Sequence, residues 1–286
     1  MRVDEALRAA RDQLSRDSGD PSGARLDAEI LLSHLLQRPR TWLHAWPEHP
    51  LDKAQQAAFD GLVQRRRAGV PIAYLTGQRE FWSLEIEVTP ATLIPRPETE
   101  LLVEEALRRL AGHRRPRVLE LGTGSGCIAC ALAHERPDAE IIATDRSGEA
   151  LAIAARNLAR HAPGRVELCQ GDWFENLDGR HDLILSNPPY IAANDPHLGL
   201  GDLPAEPREA LVSGADGLDA IRQLVADAPA HLRSDGWLLF EHGHDQGGSA
   251  RALLHQRGYR EITSVRDLAG IERVTLGRAP PDACPE

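Results

Sequence analysis

Asn187-Pro188-Pro189-Tyr190 follows directly on the apolar run Leu183-Ile184-Leu185-Ser186, and its residue types suit the holding of a planar NH2 group. The Asn187 side chain brings a carboxamide oxygen as acceptor. Neither proline has an N–H, and Pro188 biases Asn187 toward extended backbone. The loop is therefore stiff and rich in bare carbonyls. Such a platform serves a weak nitrogen nucleophile that must be aimed rather than deprotonated.

A second set of residues has the makings of a nucleoside site. Val118-Leu119-Glu120-Leu121 runs into Gly122-Thr123-Gly124-Ser125-Gly126, followed by the helix-like Cys127-Ile128-Ala129-Cys130-Ala131-Leu132. Strand, glycine turn and helix bring a ligand against backbone N–H groups at a helix start. The spacing is G-x-G-x-G and not the G-x-G-x-x-G of dinucleotide sites. Asp145 ends the next apolar run, Ile141-Ile142-Ala143-Thr144, where a carboxylate can accept hydrogen bonds from ribose hydroxyls. Asp172-Trp173 follows Val166-Glu167-Leu168-Cys169, offering a purine an aromatic face and an acceptor for its exocyclic amine. Together these residues point to an adenosine-type cofactor.

The elements that must position these groups follow a rhythm of strands and helices from residue 116 onward. Strands are expected at 117–121, 140–144, 165–169, 181–186 and 236–241, and helices at about 125–136, 147–161, 216–233 and 246–257. That alternation implies an α/β fold with a parallel sheet. Tyr259 to Val265 and Glu272 to Leu276 read as an antiparallel pair closing one edge. Residues 1–70 read as a small helical bundle. Its expected apolar stripes are Val3, Ala6, Leu7, Ala10 and Leu14, then Leu26, Ile30, Leu31 and Leu35, then Ala58, Leu62 and Val63 behind an Asp52/Gln55 capping box. Residues 71–97 read as a β-hairpin linker, with Leu84, Ile86 and Val88 alternating against Glu85 and Glu87. The third segment is 98–286.

The formal net charge is −10, which gives no support to a nucleic-acid partner, because phosphate neutralisation needs a basic surface. Arg65-Arg66-Arg67 reads as the basic end of a helix. No apolar run approaches the roughly 18 residues of a membrane span, and Met1 to Ala6 lack a signal-peptide core. Cys127, Cys130, Cys169 and Cys284 are too few and scattered for a disulfide framework. A reduced, cytoplasmic protein is expected. Glu241-His242-Gly243-His244 and the Cys127/Cys130 pair lack further ligands at metal-site spacing, so no metal is expected.

These motifs occur in the order seen in Rossmann-like, class I S-adenosyl-L-methionine-dependent methyltransferases. Pro71-Ile72-Ala73-Tyr74-Leu75-Thr76-Gly77, Glu80-Phe81-Trp82, Thr92-Leu93-Ile94-Pro95-Arg96-Pro97-Glu98-Thr99-Glu100, Glu241-His242-Gly243 and Glu272-Arg273-Val274-Thr275 narrow the likeness. Across essentially the whole chain the sequence resembles the peptide chain release factor N5-glutamine methyltransferases, the PrmC/HemK family. The resemblance implies methylation of the glutamine side-chain nitrogen in the Gly-Gly-Gln motif of bacterial class I release factors, with S-adenosyl-L-homocysteine as by-product. By position it places cofactor contacts on Gly122, Thr123, Gly124, Ser125, Gly126, Asp145, Asp172, Trp173 and Asn187. Substrate contacts fall on Asn187, Pro188, Pro189 and Tyr190, with catalysis assigned to Asn187, Pro188 and Tyr190. Arg96 is a further candidate for orienting substrate, Glu120 for the cofactor's methionine end, and the N-terminal bundle for docking the release factor. The rival reading is a DNA adenine N6-methyltransferase, since adenine also presents a conjugated NH2. Such an enzyme must extract a base and needs a DNA-binding surface, which the acidic balance does not supply.

Overall fold

A computed structural model describes residues 1–18 and 20–280, so Cys284 lies outside the described residues. The chain divides into two compact units, Met1–Gln78 with Leu200–Ala205, and Arg79–Gly199 with the chain from Glu206 onward.

The first unit holds α1 (Val3–Ser18), α2 (Pro21–Leu36), α3 (Arg40–Ala45), α4 (Lys53–Arg67) and α5 (Ile72–Thr76). Val3, Ala6, Ala10 and Leu14 are buried as their spacing requires, whereas α2 turns Ala24, Ala28, Leu31 and Leu32 inward and leaves Leu26 exposed. The expected Leu26/Ile30 stripe is thus out of phase. Alanines on facing helices let backbones approach, and this close packing outweighs a leucine-led pattern. In α4 the buried pair is Phe59 and Val63, and Ala58 faces solvent. The Asp52/Gln55 capping box is present, with Gln55 N–H donating to Asp52 at 2.8 Å. Arg66, read only as a helix-end charge, pairs with Asp27 and Asp202, each at 2.8 Å.

The start of the 71–97 segment is not hairpin. Ile72–Thr76 forms α5, stopped by Gly77 at φ +76°, and the hairpin proper is β1 (Gln78–Phe81) with β2 (Leu84–Glu87). There follow α6 (Glu100–Leu110), β3 (Arg117–Leu121), α7 (Cys127–Glu135), β4 (Glu140–Asp145), α8 (Gly148–His161), β5 (Val166–Gln170) and β6 (His181–Ser186). The chain continues through α9 (Asp219–His231), β7 (Leu232–Glu241), α10 (Gly247–Arg257), β8 (Arg260–Arg266) and β9 (Glu272–Arg278).

Seven strands form one sheet in the order β5-β4-β3-β6-β7-β9-β8, parallel through β7 and antiparallel at β9 and β8. This is the mixed sheet of a class I Rossmann-like methyltransferase fold. Leu119, Leu121, Ile184, Leu238 and Phe240 pack against Ile221, Leu224 and Val225 of α9 and Leu254 of α10. Alternate residues point the other way, toward the side where α6, α7 and α8 contact the strands. Glu120 and Glu241 lie on that second face, and both are buried. Among the described residues no helix is long and apolar enough to cross a membrane.

Candidate functional site

The strand order reverses between β3 and β6, and ligands of open α/β sheets bind at such a point, beyond the carboxyl ends of the strands. The register aligns Thr144, Leu121, Ser186 and Phe240 across four neighbouring strands. One residue further along each strand come Asp145, Gly122, Asn187 and Glu241. The sheet therefore sets the glycine loop and the Asn-Pro-Pro-Tyr loop side by side.

The three loop glycines adopt φ of +71°, +56° and +78°, the left-handed region that L side chains resist. Thr123 N–H donates to Thr144 O at 2.8 Å, which folds the loop back over β4. Both oxygens of Asp145 are engaged by backbone, Oδ2 by Gly124 N–H at 2.8 Å and Oδ1 by Ser147 N–H at 2.9 Å. These bonds fix the carboxylate's orientation and leave lone pairs for a ligand's hydroxyls. From α8, Asn157 ties the loop to the hairpin: its Nδ2 donates to Ser125 O and its Oδ1 accepts from Glu87 N–H, each at 2.8 Å.

A cavity of about 800 Å3 opens over this end of the sheet. Gly122 to Ser125, Asp145, Asp172, Trp173, Arg96, Asn187, Pro188 and Pro189 line it; Gly126 and Tyr190 do not. Trp173 sits at φ +52° and rests partly on the core. A non-glycine residue held there is strained and persists where its surroundings over-determine it. Arg96 pairs with Glu206, whose other oxygen accepts from Ile94 N–H at 3.0 Å. That buried partner, absent from the sequence reading, fixes the arginine at the cavity wall.

Asn187 Nδ2 donates to Thr99 Oγ1 at 3.1 Å, and Thr99 Oγ1 donates to Glu241 Oε2 at 2.7 Å. Tyr190 reaches the same carboxyl group, donating to Oε1 at 3.2 Å. Asn187 Oδ1 and the Pro188 carbonyl accept no hydrogen bond among the described residues. Burial pushes Glu241 up to about 7 against the pull of Thr99 and Tyr190. Burial, with the neighbouring Glu241 charge, also pushes the Tyr190 phenol well above its ordinary range. Thr99 and Glu241 escaped the sequence reading because they meet across 142 residues; their places in the Ile94-to-Glu100 and Glu241-His242-Gly243 motifs were the available signal.

Beneath the loop, Thr144 Oγ1 is buried without a hydrogen-bond partner, and the Glu120 carboxyl is buried against the Thr123 hydroxyl and the Ala129 backbone. Burial pushes Glu120 up to about 8 against the pull of the Thr123 hydroxyl and the Ala129 N–H, and the Asp145 charge adds to the rise. Cys127 and Cys130 are buried in α7 close to Glu120; burial and that charge lift both thiols, Cys130 to about 12. His242 is held by Gly243 O and Thr275 Oγ1, each at 2.8 Å. Among the described residues no cluster of three or more His, Cys, Asp or Glu could hold a metal ion.

Residues 5–77 match the model of the PrmC N-terminal domain, and residues 97–257 that of the methyltransferase small domain. The release factor glutamine methyltransferase of Xylella fastidiosa (strain 9a5c) is 54% identical over 257 residues, covering 90% of this chain and 94% of that protein. Its counterpart from Pseudomonas aeruginosa is 52% identical over 260 residues, covering 91% and 94%. Among solved structures, the hMettl16 catalytic domain in complex with MAT2A 3'UTR hairpin 1 matches with a TM-score of 0.58 at 14% identity, over 89% of this chain and 93% of that one. At that identity the likeness concerns the fold alone. More than half of the residues are identical over nine-tenths of the chain, and the N-terminal domain model spans residues 5–77 of it: the chain belongs to the release factor glutamine methyltransferases.

Proposed function

We propose that this chain moves a methyl group from S-adenosyl-L-methionine to the side-chain nitrogen of the glutamine in the Gly-Gly-Gln motif of bacterial class I release factors, in the cytoplasm. The observation that carries this reading is Asn187, its nitrogen bonded to Thr99 and its oxygen accepting no hydrogen bond among the described residues, next to Pro188 on a cavity that also runs over the glycine loop. The residues present fit the cofactor. Gly122 and Gly124 leave open space where side chains would stand, and the buried, unpartnered hydroxyl of Thr144 lies beside them. Gly122 to Ser125 and Asp145 would hold the nucleoside end, and Asp172 and Trp173 the adenine, with Glu120 buried behind the loop and off the cavity wall. When bound, S-adenosyl-L-methionine supplies a methyl group already activated by its sulfonium, and S-adenosyl-L-homocysteine is left.

The chain's own task is to aim an amide nitrogen whose lone pair is delocalised into its carbonyl. Asn187 Oδ1 and the Pro188 carbonyl would accept its two N–H groups, holding the nitrogen in line and favouring positive charge as it develops there, and once methylated the nitrogen gives up its extra proton to water. Pro189 and Arg96 bound the substrate side of the cavity, and Tyr190 acts from behind the wall through Glu241. The test is to incubate the protein with labelled S-adenosyl-L-methionine and a release factor, then map the product by mass spectrometry. One methyl on the Gly-Gly-Gln glutamine, lost when that glutamine is replaced, is expected. Label entering DNA adenine instead would move the reading to the rival substrate.

A further inference from the structure

We propose that Thr99 and Glu241 are positioning residues that decide which end of the Asn187 carboxamide meets the substrate. This rests on the amide-methylation reading above.

The two ends of a carboxamide are nearly alike in shape, and only hydrogen-bond direction tells them apart. An ionised carboxylate accepts and cannot donate. Thr99 has one hydroxyl proton, and it goes to Glu241 Oε2 at 2.7 Å. Its oxygen then has only lone pairs to offer Asn187, so the group facing it at 3.1 Å must be Nδ2. The amide oxygen is thereby turned outward. Tyr190 O–H takes the other carboxylate oxygen at 3.2 Å, so the carboxylate cannot swing away from Thr99 without losing a second bond. Direction is thus passed from Glu241 to Asn187 through a single hydroxyl. A flipped carboxamide would present N–H to the substrate's own N–H groups, a like-facing arrangement that cannot hold them.

Protonation of Glu241 would make it a donor and permit the whole array to reverse. The groups facing it are Thr99 and Tyr190, which stabilise the carboxylate, Arg273 of β9, which does the same by charge, and Glu98, which opposes it. Burial exceeds their sum and brings the titration to about 7. Turnover should therefore rise as pH increases through about 7.

The test compares the full-length parent with Thr99→Val, Thr99→Ser and Glu241→Gln. Each is assayed by steady-state kinetics on a release factor and by calorimetry with S-adenosyl-L-homocysteine. Thr99→Val keeps the shape and removes the hydroxyl. It should lower kcat about 10- to 100-fold with calorimetric affinity nearly unchanged, which also shows that the variant folds. Thr99→Ser should restore most of the turnover, and Glu241→Gln should have low kcat without the rise near pH 7. Full turnover in Thr99→Val, or equal loss in Thr99→Ser, overturns the proposal. If the parent itself leaves the glutamine unmethylated, the amide-methylation reading fails first and takes this proposal with it.

Discussion

Asn187 gives its nitrogen to Thr99, and on the proposed reading its oxygen serves the substrate. Asn187→Ala should lower kcat roughly 100-fold, the scale of losing one aimed polar group. Calorimetric affinity for S-adenosyl-L-homocysteine should change far less; a parallel collapse of affinity would mean the residue serves the cofactor and not the amide. Glu120 has a different burden, being wholly buried with the Asp145 charge near it. Burial raises it from 4.5 to about 8, so the folded chain keeps a proton that the unfolded chain has released. Its contribution to stability therefore declines as pH rises from about 4.5 to about 8. Melting of Glu120→Gln, without cofactor, should show little difference from the parent near pH 4 and a Tm a few degrees higher at pH 8. A gap that does not widen with pH would dismiss the titration.

At the level of elements, the Asn-Pro-Pro-Tyr loop is stiff because its surroundings hold it as well as its prolines. Ile191 N–H donates to Leu211 O at 2.8 Å and Gln246 Nε2 to Tyr190 O at 2.9 Å. Gly217, at φ +77°, lies so near that a Cβ there would overlap the Tyr190 carbonyl oxygen. Gly217→Ala should cost about 1–3 kcal/mol in denaturant unfolding and reduce kcat, with cofactor affinity largely kept; normal kcat would show that the loop tolerates displacement. Local signals made much of this architecture readable. Strand, glycine turn and helix at 117–135, the Asp52 capping box and the closing antiparallel pair each rest on neighbouring residues. The buried face of α2 departs from its leucine spacing because small alanines set the helix approach there, and α5, at five residues, is too short to show a period. Thr99 with Glu241, and Arg96 with Glu206, could not be paired from sequence, since only the sheet's register and the folded loops bring them together.

The whole molecule carries a net charge of −10, and its substrate reading requires no grip on phosphate. Binding to a DNA duplex should be undetectable by fluorescence anisotropy at about 0.15 M salt, where the charge term of nucleic-acid affinity is already weakened. Saturable micromolar binding there would reopen the base-methylating alternative. The row that places Asp145, Gly122, Asn187 and Glu241 on neighbouring strands has a consequence for biogenesis. Its members emerge in synthesis as 122, 145, 187 and 241, and β7, which brings the last, is flanked by β9 at Glu272–Arg278. A nascent chain thus has its glycine loop and Asp145 nearly a hundred residues before Asn187 gains the anchor that turns its amide. The glycine-loop end of the row is therefore synthesised first, and its Glu241 end last.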